Sequence, residues 1–187
     1  MLRAMRRAAA GDKKGAIEDF DRAMSYPDNL ETGEPWEKGK RAEIAFTAGE
    51  AMEKLGDKEA AKKYFERALE IVDPNDPLNK SKWHNFKAPE QMMYTAAALK
   101  KLGRDSESEK LWKLVDAMMV DKEKNFGSVE FYTKFGGEFN KDKALSELKY
   151  YLGEREYLKG NEAEAKKFYK EAGKIYPNNP FVNLKNS

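Results

Sequence analysis

Between Ala42 and Asp73 the apolar residues recur with the period of an α-helix on both sides of a single break. The break is Gly56-Asp57; after it Ala61, Phe65 and Ala68 fall on one helical face, and before it Gly49 stands where a first helix could meet a second closely. The pattern predicts two amphipathic helices and a tight turn. Small Ala61 and Ala68 let two helices approach, while Phe65 between them supplies the bulk that fills a neighbouring hairpin. Gly56 suits the left-handed conformation that closes a helix, and Asp57 can cap the free amides of the next. One hairpin cannot bury its own apolar face, so such units are expected in stacks.

The same glycine-polar turn recurs at Gly11-Asp12, Gly103-Arg104 and Gly160-Asn161. Ala16, Phe20 and Ala23 follow the first turn, Ser108, Trp112 and Val115 the third, and Ala165, Tyr169 and Ala172 the fourth, which closes at Pro177-Asn178-Asn179. The third set is the weakest copy, because bulkier Val115 should push the helices apart. On the first helices Gly49 corresponds to Ala96 and Gly153, and Met52 and Leu99 to Glu156, a departure from the large apolar residue expected there. The chain opens at Met1 inside the first helix of its first unit, which reads as shortened and suggests a piece of something longer.

These turns divide a single all-α domain, 1–187, into hairpins at 1–26, 41–72, 89–120 and 141–176 and a tail at 177–187. The intervening segments 27–40, 73–88 and 121–140 are longer than usual helix connections. They hold Trp36, Trp83, His84, Phe86 and a run of rings from Phe126 to Phe139, so ordered loops packed on the helix ends are expected.

Together these residues resemble the tetratricopeptide repeat, a helical-hairpin repeat used mostly for binding other proteins. The resemblance implies a short right-handed α-solenoid whose concave face is lined by first helices. Threading the chain onto it places Phe46, Thr47 and Glu50, then Met93, Tyr94 and Ala97, then Tyr150, Tyr151, Glu154 and Tyr157 along that groove. Rigid rings with a polar edge are efficient contact residues, and burial against the next hairpin is the competing reading. The lysine, asparagine and arginine with which one subclass clamps chaperone tails are replaced by Phe46, Thr47, Met93, Tyr94, Tyr150 and Tyr151, which disfavours that ligand. The phrase from Ser25 to Leu69 resembles more loosely the C-terminal repeat region of large bacterial proteins with a mutarotase-like N-terminal part. That likeness implies a carbohydrate setting and a partner within the same parent protein.

Charge and composition narrow the functions further. The 187 residues carry 35 Lys and Arg against 33 Asp and Glu, and a net charge of +2 gives no field to gather nucleic acid or an anionic membrane. No apolar run approaches a membrane span, and a cytoplasmic setting is expected. The absence of cysteine removes disulfides, thiol chemistry and thiolate zinc sites. His84 is the only histidine, and neither a nucleophile elbow nor a phosphate-cradling glycine loop occurs. Paired carboxylates such as Glu50 and Glu53 are interleaved with lysine and read as solvated helix faces. The expectation is therefore a non-enzymatic scaffold without cofactor or metal, binding a protein or peptide segment or another domain of its parent. The alternative is a ligand-binding accessory module of a carbohydrate-active protein that uses Trp36, Trp83, His84 and Phe86.

Overall fold

The computed structural model describes residues 1–25, 40–70, 89–126, 140–179 and Val182. Among the described residues eight helices follow in order: α1 (Leu2–Ala9), α2 (Lys13–Met24), α3 (Lys40–Lys54), α4 (Lys58–Leu69), α5 (Pro89–Lys101), α6 (Asp105–Lys124), α7 (Lys141–Leu158) and α8 (Glu162–Ile175). Among the described residues there is no strand.

Each pair is closed by the glycine that the sequence marks. Gly11, Gly56, Gly103 and Gly160 have φ of 80°, 76°, 73° and 88°, the left-handed region that a side chain disfavours. At all four, two amides reach back to the helix just ended. In the second turn Gly56 N donates to Glu53 O at 3.0 Å and Asp57 N to Met52 O at 2.9 Å, and the other three repeat the pattern. The next residue then starts the following helix: Asp12 accepts from Gly15 N at 2.9 Å and Asp57 from Ala60 N at 3.0 Å. Arg104 cannot accept, and pairs instead with Glu107 one turn on. Asn161 makes no side-chain cap; its Nδ2 donates to Glu156 Oε2 at 2.8 Å. That bond accounts for the acid standing where Met52 and Leu99 are apolar.

Small residues against rings hold the second and fourth hairpins together. A Cβ on Gly49 would fall 2.6 Å from Phe65 Cδ1, and one on Gly153 2.7 Å from Tyr169 Cδ1. In the third hairpin Ser108 stands in the place of Ala61; buried, it donates to Ala96 O at 2.7 Å, so its hydroxyl is satisfied inside the contact. Ala4, fully buried and seven residues before its turn glycine as Gly49, Ala96 and Gly153 are before theirs, completes the series in α1.

One helix end differs from the boundary expected. Helix α6 runs to Lys124 through the segment assigned to a loop from 121, because Asp-Lys-Glu-Lys contains no breaker and Asn125 Nδ2 bonds Asp121 Oδ1 at 2.9 Å. The chain groups into two compact units, Met1–Val115 and Asp116–Ser187. In the first, Phe46 joins α3 to both neighbours, its ring 5.5 Å from Phe65 and 6.0 Å from Tyr94. In the second, Tyr150, Ala165, Tyr169, Ala172 and Val182 form the core.

Candidate functional site

The first-helix positions assigned to the groove divide by exposure. In unit 1–115, Phe46, Met93, Tyr94 and Ala97 are buried, whereas Thr47 and Glu50 of α3 are half-exposed. Helix α5 is buried from Pro89 to Leu99 on every side, so Tyr94 at 1% exposure is a core ring. In unit 116–187, Tyr150 and Glu154 are buried, while Tyr151 and Tyr157 are partly open against the core. Phe46 meets Tyr94 in the first unit and Tyr150 meets Tyr151 in the second, but the rings of Phe46, Tyr94 and Tyr150 are buried in the core. The loop candidates Trp36, Trp83, His84 and Phe86 lie outside the described residues.

Around Tyr150 the geometry is specific. Its ring lies 5.2 Å from Tyr151, edge to face, and 5.9 Å from Tyr169. The Tyr169 hydroxyl donates to Glu154 Oε1 at 2.5 Å inside the core. Ser146, fully buried, donates to Ala172 O at 2.9 Å and accepts from Asn179 Nδ2 at 3.0 Å, which ties the segment after α8 to α7. The sequence pointed to Asn179 as a helix end but gave no sign of its bond to Ser146.

A second electrostatic group sits between α1 and α2. Asp19, almost wholly buried, accepts from Arg3 Nε at 2.6 Å and Nη2 at 2.5 Å, with Arg7 Nε 3.4 Å away. The Arg3 bonds hold its carboxyl below the usual carboxylate range. The Ala60 amide and Lys13 do the same for Asp57. At Glu156 burial pushes upward, yet the hydrogen bonds from Asn161 and Arg155 outweigh it and the carboxyl is lowered. Burial, reinforced by Asp21, pushes the Tyr64 phenol up to about 12. Each shift belongs to a helix contact or a cap. Among the described residues no cluster of three or more His, Asp or Glu could hold a metal ion.

No helix among the described residues is long and apolar enough to cross a membrane. Comparison with curated proteins found no match. Residues 42–75 match the family model of the tetratricopeptide repeat, covering α3 from Ala42 onward, the Gly56 turn and α4. With the same turn, small residue and ring recurring in the helices on either side, the chain carries a tetratricopeptide repeat within an all-α array of helical hairpins.

Proposed function

We propose that the chain is a non-enzymatic scaffold that binds a protein or peptide segment through the outward faces of its first helices. Tetratricopeptide repeats are protein-interaction folds, and the match at 42–75 carries this reading. The accessible contact residues in each unit are Thr47 and Glu50 on α3, and Tyr151 and Tyr157 on α7. Within unit 1–115 the buried ring of Phe46 lies 6.0 Å from that of Tyr94, and within unit 116–187 the buried ring of Tyr150 lies 5.2 Å from that of Tyr151. Tyr151 is taken as the anchor of this set: a partly exposed ring packed edge to face on Tyr150.

Peptide display on the full chain, followed by titration calorimetry, tests the proposal. Tyr151→Ala is expected to weaken a selected peptide by about thirtyfold, the cost of truncating an aromatic anchor. Unchanged affinity in Tyr151→Ala and Tyr157→Ala, with loss in Trp83→Ala or His84→Ala, would move the site to the loops and support the carbohydrate accessory module instead.

A further inference from the structure

Among the described residues one buried side-chain atom makes no hydrogen bond: Oε1 of Gln91, in the first turn of α5. A buried acceptor left without a donor raises the free energy of the closed state, because the same oxygen is bonded to water whenever it is exposed. Repeat register shows that the place does not call for a polar residue. Gln91 precedes Gly103 by the distance at which Ile44 precedes Gly56 and Leu148 precedes Gly160, and both of those residues are apolar.

Glu90, next to Gln91, is nearly buried as well. Unwinding this turn would return a carboxylate and an unbonded amide oxygen to water together. An end turn is also the easiest part of a helix to unwind, since its first amides have no partner within the helix.

One turn later α5 is fixed to its neighbours. Thr95, fully buried, donates to Ala68 O of α4 at 3.0 Å and reaches Gln91 O only at 3.5 Å, and the Tyr94 ring lies 6.0 Å from that of Phe46 on α3. Between the two regions stand Met92 and Met93, both buried. Their unbranched thioether side chains adapt to many neighbours.

We propose that the first turn of α5 is a local opening point of the array. Residues Pro89–Gln91 unwind while Tyr94 and Thr95 hold the remainder of the helix on α3 and α4, and the opening uncovers Met92 and Met93. Such openings draw on the least stable part of a fold, and here the unbonded Gln91 oxygen sets where that part lies. Met93, expected along the groove and buried in the closed structure, reaches the surface by this route. The opening belongs to α5 itself and holds whether or not a peptide binds the first helices.

Methionine oxidation reads the opening against internal controls, because Met93, Met52 and Met119 are all 0% exposed. Dilute hydrogen peroxide on the full chain, followed by peptide mapping with mass spectrometry, is expected to oxidise Met93 at least about tenfold faster than Met52 and Met119. Gln91→Leu puts at this place the residue that α7 carries there, and should bring Met93 to within about twofold of Met52. Amide exchange over residues 92–95 should slow by about tenfold in the same variant. Gln91→Met, which keeps the length of the side chain without its amide, is expected to slow exchange equally, so the test survives a poor fit of leucine; an unchanged far-ultraviolet spectrum confirms the fold of each. Equal oxidation of Met93 and Met52 in the wild type overturns the proposal. So does unchanged or faster exchange in Gln91→Met, which would show that the Gln91 amide is bonded in the folded protein.

Discussion

Gly49 on α3 lies flat against the ring of Phe65 on α4, with no room for even a single carbon between them. Gly153 and Tyr169 repeat the relationship in the last hairpin. In an ordinary helix, replacing glycine by alanine stabilises by about 1 kcal/mol. Here Phe65 is itself held by Phe46, so the ring cannot swing away cheaply. Gly49→Ala and Gly153→Ala are each expected to destabilise by a net 1 to 3 kcal/mol or about that, measured by urea unfolding. A gain in stability at both sites would mean that the hairpins close without this contact.

The buried bond from Tyr169 to Glu154 gives a second expectation. Tyr169→Phe keeps the ring and removes the donor, leaving a carboxyl oxygen inside the core short of one partner. Such a loss costs about 1 to 3 kcal/mol. Glu154→Gln, which keeps an acceptor there, should cost less. Equal stability of wild type and Tyr169→Phe would show that the bond contributes nothing net.

How far these contacts could be read beforehand depends on how local their causes are. The four turns are set by neighbouring residues: a glycine that must adopt positive φ and, at Gly11 and Gly56, an aspartate beside it that caps the next helix. That information is written in two adjacent letters. Ala4 was hidden because α1 is only 8 residues long and rich in arginine, so no apolar period surrounds it. The groove rings were harder still. From Met92 to Leu99 helix α5 is apolar or small on all sides, and periodicity cannot separate a ring that faces a partner from one that faces the next hairpin. Tyr94 is buried because Phe46, far away in sequence, reaches it. Likewise the exchange at Glu156, where Asn161 bonds back instead of capping, needs both side chains in place to be seen.

Acid should weaken the first hairpin through Asp19. Its folded carboxyl is held below the ordinary value of 3.8, chiefly by hydrogen bonds from Arg3. The stability this gives is present in full above about pH 3.8 and is lost as pH falls through the lowered folded value. Arg3→Gln removes the cause, so the melting temperature of that variant should fall less steeply than wild type between pH 4 and 2, or about that range. Parallel curves for the two proteins would exclude the pair as a source of acid sensitivity.

The four glycine turns offer the most direct measurement of the central claim, that this chain is one helical hairpin repeated. At Gly11, Gly56, Gly103 and Gly160 a Cβ would meet nothing within 4 Å, so an alanine there is penalised only by the positive φ. Denaturant unfolding of the four Gly→Ala variants should show a similar loss at every turn, about 1 to 2 kcal/mol, with Gly→Asn losing less. The first three report on unit 1–115 and the last on unit 116–187. Matching losses at all four positions are the predicted result; a turn that accepts alanine at no cost would contradict the repeat at that position, and four such turns would contradict the account as a whole.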